Sequence, residues 1–121
     1  MNSLFIDCPT GLSGDMLLGA LFDLGVPRNV VEKSFDLIGL SNVYSLKVKE
    51  DKSFGLRGLK LFVESLEKPS KERGWQVIKD IVSKSNLNKE LKSNILDVFL
   101  SIAEAESFVH GTKLEDVHFH E

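Results

Sequence analysis

Leu4-Phe-Ile-Asp7-Cys-Pro-Thr-Gly11-Leu-Ser13-Gly14-Asp15-Met16 is the stretch from which the rest of the chain is read. The apolar run at residues 4–6 predicts a short strand that ends on the carboxylate of Asp7. A loop follows, in which Gly11 and Gly14 open backbone shapes closed to other residues. Ser13 suits the N-cap of a helix that opens with a second carboxylate, Asp15. Free amides in that first turn favour an anion beside them, and two acids favour a cation. The joint is therefore a candidate site for a phosphate and a divalent ion, built from Asp7, Ser13, Gly14 and Asp15. No lysine follows the glycines, which sets it apart from a P-loop. A tight turn with a capped helix would carry the same residues.

Outward from the loop, Asp15 to Leu24 is rich in Met, Leu, Ala and Phe on nearly every side, as a buried helix is. Gly19 costs such a helix about 1 kcal/mol against alanine, so its place there predicts the close approach of another backbone. Gly25 closes this helix and Pro27 opens the next, which runs to about Ile38 with Val30, Val31, Phe35 and Ile38 on one face. Period-two patterns at Tyr44, Leu46, Val48 and at Leu59, Leu61, Val63 predict a hairpin across residues 51–55. Gly55 and Gly58 would mark a bulge or a loose start to its second strand.

A helix carrying Trp75, Ile78, Ile81 and Val82 follows, with Trp75 as a core or edge anchor. Asn86 to Asn88 breaks the chain before a last helix from about Lys89 to His110, which Gly111 ends. Its apolar face reads as Leu91, Ile95, Val98, Phe99, Ile102 and Val109. Val117-His-Phe-His then predicts a strand. The expected fold is one α+β domain over residues 1–121, a small mixed β-sheet with helices packed on it. The order is strand, helix, helix, hairpin, helix, helix, strand, and the split β-α-β arrangement is the nearest plan.

Composition bounds the partners. The chain has 121 residues, enough for one core, and its 42% hydrophobic and 27% charged content is ordinary for a soluble globular protein. A net charge of -3 argues against general nucleic-acid binding. From Ser45 to Lys92 there are 12 basic and 7 acidic residues; the two ends hold 3 basic and 11 acidic. The acidic ends are where the candidate site residues lie. Cys8 is the one cysteine, so no disulfide framework is expected. Neither a signal peptide nor a membrane span is legible, and a cytoplasmic protein is expected. The chain stops in mid-pattern at Val117-His118-Phe119-His120-Glu121, which reads as one piece of a longer protein.

A second constellation lies in that last stretch. At about 100° per residue, Glu106 falls between Ile102 and Val109 on the apolar stripe, and His110 lies one turn on. Such a pair can share a metal, or hydrogen-bond each other and hold the helix end. A carboxylate there needs a partner. His118 and His120, two apart on a strand, share a face with Cα atoms about 6–7 Å apart, and Glu121 could add oxygen. All three histidines fall in the last twelve residues. Imidazole and carboxylate donors suit nickel, zinc or manganese. Exposed edge histidines would be the plain alternative.

These residues also carry a resemblance. Asp7-Cys-Pro-Thr-Gly-Leu-Ser13-Gly14-Asp15-Met-Leu-Leu-Gly19-Ala-Leu-Phe-Asp23-Leu-Gly25 is similar to the N-terminal signature of the nickel-insertion proteins of nickel-pincer nucleotide cofactor synthesis. Ala103-Glu-Ala-Glu106-Ser-Phe-Val109-His110-Gly111 and Val117-His118-Phe119-His120-Glu121 resemble that family's second hallmark. The match spans essentially the whole chain but only about the first third of a typical member.

The resemblance implies a cytoplasmic nickel insertase of the lyase class, acting on a pyridinium bis-thiocarboxylate mononucleotide. It implies dependence on CTP and manganese, and a homo-oligomer formed through a further C-terminal region. Asp7 and Asp15 would be catalytic, with Ser13, Gly14 and Asp15 at the nucleotide phosphates. Glu106, His110, His118, His120 and Glu121 would form a metal or substrate site. The histidine-rich stretch that many relatives carry after the hairpin is here Leu66-Glu-Lys-Pro-Ser-Lys-Glu-Arg-Gly-Trp75, with no histidine. The competing class is a non-catalytic metal- or nucleotide-binding module that needs a partner domain. If the two constellations form one site, the Asp15 loop and the terminal histidines have to meet.

Overall fold

In a computed structural model, which describes residues 3–67 and 73–119, the chain is α+β as expected. Its elements are α1 (Gly14–Asp23), α2 (Arg28–Ile38), β1 (Tyr44–Ser53), β2 (Leu56–Ser65), β3 (Arg73–Gly74), α3 (Trp75–Lys84), α4 (Lys89–His110), a 3-10 turn (Leu114–Asp116) and β4 (His118–Phe119). The strands form two separate two-stranded sheets, β1 with β2 and β3 with β4. The helix ends follow local chemistry. Gly25 takes φ 96°, the left-handed shape that glycine adopts at little cost. There the Gly25 N–H bonds to Phe22 and the Val26 N–H to Leu21, a Schellman closure. At the start of α4, Asn88 accepts the Leu91 N–H through its side chain at 2.8 Å.

The chain divides into two compact units, and each is described by itself. The first comprises Met1–Arg28 and Ser45–Glu64. Here Gly19 of α1 lies against β2: a Cβ on Gly19 would stand 2.7 Å from the Leu59 carbonyl oxygen. The close backbone approach read from the sequence is therefore real, and it explains a glycine in mid-helix. Leu46 and Leu61 are the buried side chains of the hairpin. Lys47 pairs with Glu64 across its strands at 2.7 Å, and Arg57 bridges Glu50 at 3.0 Å and Asp23 of α1 at 2.8 Å.

The hairpin is tighter than its sequence predicts. Phe54 and Gly55 alone form the turn, with φ 48° and 80°. Both central residues at positive φ are the mark of the turn whose twist suits a two-residue hairpin. β2 thus begins at Leu56, and Gly58 lies inside it without a loose start. Phe54 is a bulky residue in a region it disfavours, and its ring is fully exposed.

The expected strand at residues 4–6 does not form, and this is a correction. These residues have no regular structure, and Leu4, Phe5 and Ile6 are all exposed, Phe5 at 87%. A run of strand-forming side chains makes a strand only where a neighbour supplies backbone partners. The final strand pairs elsewhere, with Arg73 opposite Phe119 and Gly74 opposite His118, antiparallel.

The second unit comprises Asn29–Tyr44 and Ser65–Glu121. Its core is Trp75, Ala103 and Val117, with Leu96, Phe99, Leu100, Leu114 and Phe119 packed around them. Trp75 is the anchor its sequence context predicts. The Trp75 backbone N–H donates to the Val117 carbonyl at 3.0 Å, which ties the start of α3 to the chain before β4. Phe99 and Phe119 meet edge to face with centroids 5.7 Å apart. Within the same unit, the Phe35 and Tyr44 rings meet at 4.8 Å.

The face of α4 that enters this core shares only Phe99 with the expected one. Leu96, Phe99, Leu100 and Ala103 turn inward, whereas Leu91, Val98, Ile102 and Val109 stay exposed. The helix carries apolar residues on two sides. Ala103, with no exposure at all, lets α4 approach Trp75 closely. Shape complementarity selected the side with the small residue, which a count of apolar positions does not register.

Candidate functional site

Two groups of site residues follow from these elements, one in each unit. In the first, Cys8 to Gly11 forms a turn in which the Gly11 N–H bonds to the Cys8 carbonyl at 3.1 Å. Asp7 stands just before that turn, exposed and outside any helix or strand. Gly14 is the first residue of α1, and Ser13 occupies its N-cap position with extended backbone. The Ser13 side chain makes no capping bond. Its hydroxyl donates instead to the Asp15 carboxylate, whose Oδ1 also accepts the Met16 N–H at 2.9 Å.

That arrangement acts on the charge of Asp15. The Ser13 hydroxyl bond is the main cause that holds its carboxyl below the usual aspartate range, followed by the Met16 amide, with a smaller pull from Lys60. Donors that face the ionised form stabilise it. Asp15 is thus a carboxylate well into acid solution, as an oxygen ligand for a hard cation needs to be.

Asp15 lines an open concavity of about 640 Å³ together with Ser13, Met16, Ala20, Asp23, Gly58, Leu59, Lys60 and Leu61. Lys60 and Asp23 are residues that sequence reasoning did not select. Lys60 looked like the polar member of an alternating strand, and only the α1–β2 packing brings it beside Asp15. Its ammonium also stands 5.4 Å from the Phe62 ring centroid. Asp23 is engaged by Arg57 at 2.8 Å. The concavity therefore offers one carboxylate bonded only by neutral donors, and a cation on the facing strand.

In the second unit, Glu106 and His110 form the pair their spacing predicts, Oε2 to Nε2 at 3.1 Å. Neither is buried; both side chains are partly open to solvent. The partner that Glu106 requires on an apolar stripe is thus one turn away on its own helix. His118 lies on β4, where its ring rests against the backbone of Gly74: a Cβ there would stand 3.2 Å from Nδ1. His120 and Glu121 lie outside the described residues. Among the described residues, no three His, Cys, Asp or Glu side chains converge as a metal-binding group. Among them, too, no helix is long and apolar enough to cross a membrane.

Comparison with known proteins adds the family. The family model described as "Nickel insertion protein" matches residues 4–121. The chain is 38% identical over 122 residues to the pyridinium-3,5-bisthiocarboxylic acid mononucleotide nickel insertion protein of Desulfitobacterium hafniense (strain DSM 10664 / DCB-2), covering 100% of this chain and 30% of that one. It is 35% identical over 132 residues to the protein of the same name from Clostridium kluyveri, covering 100% of this chain and 33% of that one. A third protein of that name, from a Nocardioides species, is 36% identical over 121 residues, again with 100% of this chain and 30% of the relative covered. The chain thus spans about a third or less of the length of these relatives. No solved structure matches it.

Proposed function

The chain belongs to the nickel insertion protein family, and from that premise we propose that it supplies the N-terminal part of a cytoplasmic enzyme that inserts nickel into pyridinium-3,5-bisthiocarboxylic acid mononucleotide. The reaction would depend on CTP with manganese, and its product would be the nickel-pincer nucleotide cofactor. The observation that carries the reading is the family match across residues 4–121. Nickel here is cargo. His110 and Glu106, with His118, His120 and Glu121 as further donors, would hold it through nitrogen and oxygen.

Such donors suit the task physically. Nickel binds well to imidazole, and softer sulfur ligands such as those of the bis-thiocarboxylate compete for it. A small, solvent-open donor set can therefore hold the ion and still release it to sulfur. Because His110 and Glu106 are bonded to each other at 3.1 Å, nickel has to break that contact to take both donors.

The Asp15 concavity is the candidate for the nucleotide step. Asp15 stays ionised beside Ser13, which suits a manganese-bound triphosphate, and Lys60 faces the same space. Asp7, Ser13 and Gly14 complete that group in this reading. Manganese bound there would neutralise phosphate charge. The protein's part is to keep Asp15 deprotonated and to position Lys60 for a phosphate oxygen.

Titration of the chain with nickel, and with manganese in the presence and absence of CTP, tests the reading. His110→Ala combined with His118→Ala should weaken nickel binding at least tenfold while leaving CTP-linked manganese binding unchanged. Asp15→Asn should do the reverse. Nickel affinity equal to that of the parent would remove the histidines from the site. A non-catalytic binding module would show both affinities and yet insert no nickel when joined to the rest of a relative.

A further inference from the structure

The second unit buries one side of α4 and leaves an ordered apolar stripe on another. Leu91, Val98, Ile102 and Val109 are all exposed, Val98 at 61% and Val109 at 74%. At about 100° per residue they fall within roughly 40° of one another, and roughly 130° from the face that meets Trp75. The line runs along nearly the whole of α4 (Lys89–His110), about 27 Å by the helical rise. Single exposed apolar residues are ordinary on a protein surface. Four in register, at intervals of seven, four and seven, have the spacing by which one helix packs on another.

The residue types point the same way. Val98, Ile102 and Val109 are β-branched, and each lowers helix propensity by a few tenths of a kcal/mol against alanine or leucine. At solvated positions they would cost stability and solubility together. In a packed seam their stiff side chains lose little further freedom on burial.

We propose that this stripe is the docking face for the polypeptide that the relatives carry beyond the region matched here. Two observations select that occupant over a second copy of the chain. The chain covers all of itself but only 30–33% of the relatives, so most of their polypeptide has yet to find its place against this region. The stripe is also narrow. A stable interface between free proteins uses about 20–30 residues a side, and four side chains fall far short. A tethered partner at roughly millimolar effective concentration needs much less contact.

Docking there has a consequence for the donors. Glu106 falls at the edge of the stripe between Ile102 and Val109, and His110 adjoins Val109. A segment lying on the stripe would cover one flank of the Glu106–His110 pair and bring its own side chains beside it. The docking inference does not depend on nickel being the ion handled there.

Thiol labelling tests it. With the exposed Cys8 changed to serine, single cysteines are placed at Val98, on the stripe, and at Glu104, exposed on another side of α4. Maleimide labelling is timed in the 121-residue chain and in a fusion to the part of the Desulfitobacterium hafniense relative that lies beyond the matched region. The V98C thiol should react at least tenfold more slowly in the fusion, and the E104C thiol at the same rate in both. Equal rates at V98C would overturn the proposal, as would equal slowing at both positions. Slowing at V98C in the unfused chain that grows with its concentration would assign the stripe to a second copy instead.

Discussion

The two compact units are held together in different ways. In the first, a helix lies against a strand backbone to backbone, Gly19 on the Leu59 carbonyl, and among the described residues Leu46 and Leu61 are its buried large side chains. In the second, Trp75, Ala103 and Val117 interlock beneath a ring of partly buried apolar residues. The first unit depends on what is missing from a side chain, the second on what a side chain fills. Close backbone contact tolerates no added atom, whereas an aromatic core tolerates no removed one.

The sharpest way to break this comparison is Trp75→Ala. Removing a buried tryptophan typically costs about 3–5 kcal/mol, a large share of the stability of a small domain. The second unit should lose its cooperative transition in urea, followed by far-ultraviolet circular dichroism. A variant that unfolds with the parent midpoint would show that the core does not rest on Trp75.

Gly19→Ala is the corresponding change in the first unit. Alanine restores about 1 kcal/mol of helix propensity, but its Cβ would stand 2.7 Å from a backbone oxygen. Overpacking of this kind costs about 1–3 kcal/mol, so the net effect should be destabilising by up to about 2 kcal/mol. Amide exchange in β2 should speed up. A stabilised variant would mean that α1 and β2 separate readily, and the contrast between the units would fall.

The smallest effect concerns Asp15. Its carboxyl is held below the ordinary aspartate value of 3.8, chiefly by Ser13. A group whose folded-state value is depressed adds stability above its unfolded value, and that stability is lost as the pH falls through the folded one. Asp15→Asn should therefore be less stable than the parent at neutral pH. The difference should close in acid below 3.8. Thermal melts of both proteins across acid pH check this, and a gap that persists in strong acid would place the effect in something other than ionisation.

Reading the sequence located most elements because their signals are local. Gly25, Gly111 and the alternation around Leu46 and Leu61 act within a few residues of themselves, so helix ends and the two hairpin strands appear where they were expected, though the turn between them is shorter. The glycine at position 19 even announced a neighbour, though not which one. Of the site, the Glu106–His110 pair was legible because both residues sit on one helix. Lys60 was not, because its relation to Asp15 depends on how α1 packs on β2.

What the sequence determined by itself is thus the set of local structures and the donors they carry, together with the family to which the chain belongs. Tertiary structure decided which of two apolar sides of α4 enters the core, that residues 4–6 find no strand partner among the described residues, and that the last strand pairs with Arg73–Gly74. The physical reason is common to all three. Periodicity says that a face is apolar, but burial needs a partner of matching shape, and that partner lies far away in the chain. The unclaimed side of α4 is the same lesson seen from outside.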